Sequence, residues 1–376
     1  MAENKEDIKD LSLAELTARI KSLNEPPYRA EQVFEWIYKK GGRSFGVMTD
    51  LPAKLRDYLT NKFFVTGSEI IKKQVSKSDG TRKYLFKLSD GEEVEGVYIP
   101  AKDPAGGGTG RHTVCLSSQA GCAFGCYFCA SGLLGFKRDL RCGEILDQAL
   151  AIQDDIGVAK GPVGPKGPAG PKRITNVVMM GTGEPLANYD NVVKAIGIMN
   201  SPLGLGIGAR KITVSTAGYI PGMKRFMQEK EQFELSVSLH AADDIKRSRL
   251  MPINKKYPLA ELMEFCREYT KGKGRIITFE YILIKDVNSS PTDAQNLAKL
   301  LKGLNCKVNL IPFNAVSDFK FRQPSFKDVK IFQEVLEKAG IKSTLRAEKG
   351  VDIDAACGQL RLREAKIAQV KHENFS

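Results

Sequence analysis

His112-Thr-Val-Cys115-Leu-Ser-Ser-Gln-Ala-Gly-Cys122-Ala-Phe-Gly-Cys126-Tyr-Phe-Cys129 carries four of the chain's 8 cysteines. The first residues, His112–Ser117, read as a β-strand, so the cysteine run begins where a strand ends. Cys122, Cys126 and Cys129 follow the spacing C-x3-C-x2-C. A tight loop with that spacing can aim three thiolates at one point. A structural zinc site closes its shell with four ligands. A 4Fe–4S cluster held by three thiolates leaves one iron open, and an open iron can bind a substrate. His112 and Cys115 are near in sequence, so ligand counting alone leaves zinc as the alternative.

Downstream of the loop, strand and helix patterns alternate. Strands are predicted at His112–Ser117, Ile174–Gly181, Lys211–Ser215, Phe233–His240, Ile276–Ile284 and Lys307–Phe313. Helical patterns lie between them, as at Gly143–Asp155, Leu259–Tyr269 and Thr292–Leu301. Six such units make the expected fold class α/β, a parallel, partial (β/α)6 barrel. In β/α barrels the chemistry sits where strands end. The unusual residues gather there: the cysteine loop, Gly181-Thr-Gly-Glu184-Pro185, Ser215, His240 and Asn314.

Working outward, residues 1–75 read as a small helical accessory domain. Ser12-Leu-Ala-Glu15 is a capping box. A second helix runs from Tyr28 to Lys40, with Val33, Trp36 and Ile37 on one face and Gly41-Gly42 at its end. Asp50-Leu-Pro52 starts a third. Residues 76–110 read as a short antiparallel β connector, with Asp-Gly turns at Asp79-Gly80 and Asp90-Gly91. The barrel is expected over 111–345, followed by a C-terminal segment, 346–376. Residues 161–172 form four Gly-Pro-x triplets, read as an extended polyproline-II loop on the surface.

The chain has 376 residues, 42% hydrophobic and 27% charged, an ordinary globular composition. Its net charge is +13 and its pI about 9.2, which favours a polyanionic partner. Basic residues cluster at Lys137-Arg138 with Arg141, at Lys246-Arg247 with Arg249, and at Lys271, Lys273 and Arg275, so nucleic acid is the leading partner and a membrane surface a distant second. No apolar run of about 18 residues appears. The first residues lack the basic-then-apolar order of a signal peptide. The cysteines are too sparse for a disulfide scaffold, and a reducing cytoplasm is expected.

The cluster spacing, with Phe128 just before the last cysteine, resembles that of the radical S-adenosylmethionine (SAM) superfamily. Cys115, seven residues before Cys122, narrows the resemblance. So do Cys357 in Asp352-Ile-Asp-Ala-Ala-Cys357-Gly-Gln-Leu, and Val94-Glu95-Gly-Val-Tyr-Ile-Pro100. Together with Gly183-Glu184-Pro185-Leu186, Val214-Ser-Thr-Ala-Gly218, Ser238-Leu239-His240 and Ile311-Pro-Phe-Asn314, these resemble the RlmN family of radical SAM RNA methyltransferases, over nearly the whole chain.

The resemblance implies methylation of carbon 2 of adenine in 23S rRNA and in tRNA. It implies one 4Fe–4S cluster on Cys122, Cys126 and Cys129, two SAM molecules per turnover, an electron donor such as flavodoxin or ferredoxin, and a cytoplasmic monomer. Carbon 2 is electron-poor and no nucleophile, so ordinary transfer from SAM fails. In the family's solution Cys357 is methylated first, and a radical drawn from that S-methyl group adds to the ring. Glu95 removes the ring proton, and Cys115 attacks the Cys357 sulfur to release the product and leave a disulfide. Glu95, alternating with Val97 and Ile99, is expected on an apolar face that raises its pKa. Gly183, Glu184, Ser215, Ser238, Leu239, His240 and Asn314 correspond to SAM contacts. Thr182 stands where the family commonly has Met. Cys142, Cys266 and Cys306 match nothing, and the last two are expected to be packed. The rival readings are a Cfr-like enzyme acting on carbon 8, a radical SAM activating enzyme acting on a protein, and a zinc-binding RNA module.

Overall fold

The computed structural model describes residues 5–65, 68–101, 110–133, 135–157, 173–314, 320–346, 349–354 and 358–364. Cys357 and the Gly-Pro triplets at 161–172 lie outside the described residues.

Three helices build the N-terminal part, α1 (Leu13–Ser22), α2 (Tyr28–Tyr38) and α3 (Ala53–Lys62). The capping box forms: Ser12 Oγ accepts from Glu15 N at 3.2 Å, and Glu15 returns the bond to Ser12 N at 2.7 Å. Val33 and Ile37 are buried on α2 as their spacing predicts, whereas Trp36 stays half-buried and donates its indole N–H to Asp50 at 2.5 Å. Gly41, at φ +70°, turns the chain away after α2. A short parallel pair, β1 (Glu6–Asp7) with β2 (Phe63–Phe64), ties the two ends of this part together.

A ten-stranded sheet organises the rest. It opens with antiparallel β3 (Glu69–Val75), β4 (Arg82–Lys87) and β5 (Glu93–Pro100). β5 pairs antiparallel with β6 (His112–Cys115), so the connector continues the main sheet directly. The cysteine run includes a small hairpin, β7 (Gln119–Ala120) with β8 (Arg138–Asp139), and the turn α4 (Ala130–Leu133). From β6 the parallel order runs through β9 (Asn176–Met179), β10 (Ile212–Thr216), β11 (Glu234–Ser238), β12 (Ile277–Leu283) and β13 (Cys306–Pro312) to β14 (Lys342–Leu345). Helices α5 (Cys142–Gly157), α6 (Tyr189–Asn200), α7 (Ile220–Phe226), α8 (Asp244–Leu250), α9 (Leu259–Lys273), α10 (Pro291–Leu301) and α11 (Phe326–Lys338) complete the crossovers.

The six expected strands are all present. The seventh, β14, was missed because four residues, Lys-Ser-Thr-Leu, carry too little apolar pattern; pairing with β13 makes them a strand. The strand expected at Phe233–His240 stops at Ser238, because His240 adopts φ +60° and leaves the ladder. One large apolar cluster runs from the N-terminal helices through the sheet and its covering helices. Among the described residues, no helix is long and apolar enough to cross a membrane.

Candidate active site

The residues expected to bind SAM stand at the C-terminal ends of successive parallel strands. After β9, Gly183 has φ +107°, and a Cβ there would sit 2.6 Å from Gln119, so only glycine fits. Glu184 is buried, and its carboxylate accepts N–H from Ala217 at 2.7 Å and from Leu186 at 3.2 Å. It thereby ties the end of β9 to the segment after Ser215 and Thr216. Burial pushes its pKa up to about 7, against the lowering effect of those hydrogen bonds. Leu239 donates its N–H to the Glu280 carbonyl, and His240 Nδ1 accepts from Ile282 N at 3.0 Å. With Nδ1 accepting, a neutral His240 ring carries its proton on Nε2. Burial and the Arg247 charge lower the His240 pKa to about 3, so the ring is neutral at physiological pH. Asn314 is exposed just beyond β13.

Arg247 went unrecognised as part of this site. It is fully buried, donating Nε–H to Leu239 O at 3.1 Å and Nη–H groups to Ala217 O at 2.8 Å, Ser238 O at 3.2 Å and Asn254 at 2.7 Å. It holds the ends of β10 and β11 in place. In the sequence it looked like one charge in a basic cluster.

The cysteine loop packs against the same rim. Tyr127 N–H donates to Leu250 O at 3.0 Å, and the Phe128 ring meets His240 edge-on at 4.8 Å. Burial raises the thiol pKa values of Cys126 and Cys129, and the neighbouring thiols raise them further. Cys122 acts on both, so the three sulfurs share one environment. Among the described residues, no three His, Cys, Asp or Glu side chains converge as they would on a single ion. A cubane cluster takes its thiolates at separate iron corners, so sulfurs spaced around it need not converge. Three thiols with no fourth ligand fit such a cluster with one iron left open.

A second group of residues meets beside the loop. The register pairs Glu95 with Leu85, and Val97 with both Lys83 and Cys115. Residues directly opposite share a face, as do alternate residues along a strand. Cys115, Glu95 and Lys83 therefore project from one face of the sheet. Leu85 and Val97 share the face of Glu95, as alternation predicts, but the carboxylate also meets polar partners that alternation does not show. It pairs with buried Lys83 at 2.6 Å and accepts N–H from Gly358 at 2.6 Å and from Arg361 at 2.7 Å. Gly358, next in sequence to Cys357, has φ +77°, and a Cβ there would lie 2.6 Å from Ser131 N, two residues past Cys129. Thr182 O accepts from Ser118 N and Gln119 N, while the Ser131 hydroxyl reaches Thr182 Oγ1 at 3.4 Å.

Many of the basic residues singled out from composition are paired with acidic residues of the chain itself. Arg138 pairs with Asp90 and Glu144, Arg141 with Asp10, Lys246 with Asp293 and Arg275 with Glu234. Cys266 is buried and Cys306, half-buried, packs against the main apolar cluster, as expected.

Comparison with known proteins adds the following. The family profile for the ribosomal RNA large subunit methyltransferase N-terminal domain matches residues 6–65, and the radical SAM superfamily profile matches residues 169–292. A probable dual-specificity RNA methyltransferase RlmN from Akkermansia muciniphila is 45% identical over 90% of this chain and 90% of its own. One from Thermoanaerobacter is 44% identical over 96% of this chain and 99% of its own. The crystal structure of a radical SAM methyltransferase from Sphaerobacter thermophilus superimposes with a TM-score of 0.85 at 40% identity, covering 94% of this chain and 98% of that one.

Proposed function

The chain belongs to the RlmN family of radical SAM RNA methyltransferases, and on that premise we propose that it methylates carbon 2 of adenine in 23S ribosomal RNA and in transfer RNA through a methyl group first carried on Cys357. In this reading Cys122, Cys126 and Cys129 hold a 4Fe–4S cluster, and Gly183, Glu184, Ser215, Ser238, Leu239, His240 and Asn314 bind SAM. Bound there, cluster and SAM supply one-electron chemistry able to functionalise an electron-poor ring carbon, with two SAM molecules consumed per turnover. The electron comes from a flavodoxin or ferredoxin, and the enzyme works as a cytoplasmic monomer.

The protein's own residues do the rest. The Cys357 thiolate accepts a methyl group by displacement. Neutral His240 offers an Nε2–H donor at the pocket rim, and Arg247 fixes the carbonyls around it. Glu95 is the group placed to receive the ring proton. Cys115 attacks the Cys357 sulfur and releases the methylated base, leaving a disulfide that external reductant reopens.

One observation carries the reading: Glu95 lies on the face of Cys115 while holding Gly358, the neighbour of Cys357, against the turn that follows Cys129. Two variants test it. Cys357→Ala should give neither S-methylcysteine nor a protein–RNA link. Cys115→Ala should still methylate Cys357 and then accumulate RNA bound through it, stable to denaturing gels and removed by nuclease. Equal, adduct-free behaviour of the two variants rejects the mechanism. Mass spectrometry of the product nucleoside separates carbon 2 from carbon 8.

A further inference from the structure

We infer that Lys83 and Glu95 form a buried clamp that positions the Cys357-bearing segment beside the cysteine loop, which makes Lys83 a positioning residue for methyl transfer. The inference rests on the role of Cys357 given above. Lys83 and Glu95 are 0% and 2% exposed, with 2.6 Å between Nζ and Oε2. Burying such a pair is costly, and an apolar pair of similar volume commonly stabilises a fold as well or better. Its use here is visible in the remaining bonds. Oε2 also accepts from Gly358 N and Oε1 from Arg361 N, across 263 and 266 residues of chain.

Gly358 follows Cys357 directly and Arg361 lies four residues past it, so the clamp acts one residue along the chain from Cys357. The seat is tight, because any side chain at Gly358 would strike Ser131 N and Ala130 C. Weaker polar contacts carry the segment along the sheet on either side. Asp352 accepts from Ser76 Oγ at 2.6 Å and Lys77 N at 2.8 Å, Asp354 exchanges bonds with Gln74, and Arg361 pairs with Glu92 at 2.9 Å. Both Glu95 oxygens are engaged in this arrangement. Glu95 therefore holds the segment through one oxygen on each amide. Lys83 keeps the carboxylate aimed at the two amides, and no residue of the three-cysteine motif supplies that function.

The test uses anaerobic holoenzyme and hydrogen-exchange mass spectrometry, with Lys83→Met, Lys83→Arg and the double variant Lys83→Met/Glu95→Gln. The amides of 358–362 should exchange about tenfold faster in Lys83→Met and in the double variant, while Ile277–Leu283 keeps its protection. For Lys83→Met, kcat for RNA methylation should fall about tenfold or more with KM for RNA within about twofold. Lys83→Arg should restore part of both, and iron content should stay at the wild-type level. Should Lys83→Met fail to fold, the double variant, which buries no lone charge, decides by exchange. Unchanged exchange at 358–362 in every folded variant overturns the clamp, as does a rise in KM with kcat intact. Peptide mass spectrometry of wild-type Cys357 separates the two ideas: a missing S-methyl group sinks the methyl-carrier reading, while the exchange result still judges the clamp.

Discussion

At the N-terminal end of the chain, Lys9 sits between Asp7 at 2.8 Å and Asp147 of α5 at 3.3 Å, and also donates to Val65 O. All three charged side chains are 6% exposed or less. At the C-terminal end, residues 349–354 and 358–364 use the same chemistry against β3 to β5, but Asp352 is exposed and the Lys72–Glu364 pair is 37% and 25% exposed. Water can replace a partner in the second set and hardly in the first. A buried pair opened on one side leaves an uncompensated charge, whereas an exposed pair is worth little. The N-terminal part is thus fixed to the barrel, while the contacts of Asp352 and Glu364 are more open to water than those at Lys83–Glu95. That division suits the methyl-carrying role proposed for Cys357.

The largest effect should come from Lys9→Met, which strands two buried carboxylates and should cost about 3–5 kcal/mol in denaturant unfolding. A loss no larger than that of an exposed pair would erase the contrast. Next comes pH. Burial raises the Asp147 pKa to about 7, with Asp7 adding to the rise and Lys9 opposing it. Between about pH 4 and 7 the unfolded chain has released this proton and the folded one has kept it. Stability should therefore fall as pH rises through that window, by at most about 1.4 kcal/mol per unit. Asp147→Asn should flatten the dependence, and an unchanged pH profile in that variant would assign it elsewhere. Gly358→Ala comes third: the left-handed backbone alone costs about 1–2 kcal/mol, and the added methyl meets Ser131. Methylation of RNA should collapse with iron content intact, and near-normal turnover would show that the seat is not needed. Asp352→Asn should have the smallest effect, leaving the unfolding midpoint unmoved and speeding amide exchange at Lys77 by about two- to threefold. A shifted midpoint would mean that the exposed contacts matter more than their exposure allows.

Spacing and periodicity are local properties, and what depends on them was legible. The capping box at Ser12, the six predicted parallel strands, the cysteine loop after β6 and the gathering of Gly183, Glu184, Ser215 and His240 at strand ends all follow from residues within a few positions of one another. Long-range partners were not legible. Arg247 read as a surface charge and is a buried brace on the carbonyls of Ala217, Ser238 and Leu239. Arg138 and Lys246 read as members of basic clusters and are paired with Glu144 and Asp293. Glu95 read as a carboxylate on an apolar strand face, because alternation shows which neighbours share a face but not which distant lysine or amide arrives opposite. By itself the sequence determined the fold class and the family. Sheet register and the return of the C-terminal segment decided that Lys83, Glu95, Cys115 and Gly358 share one site. Hydrogen bonds act over about 3 Å, and only the folded chain brings residues 263 positions apart within that reach.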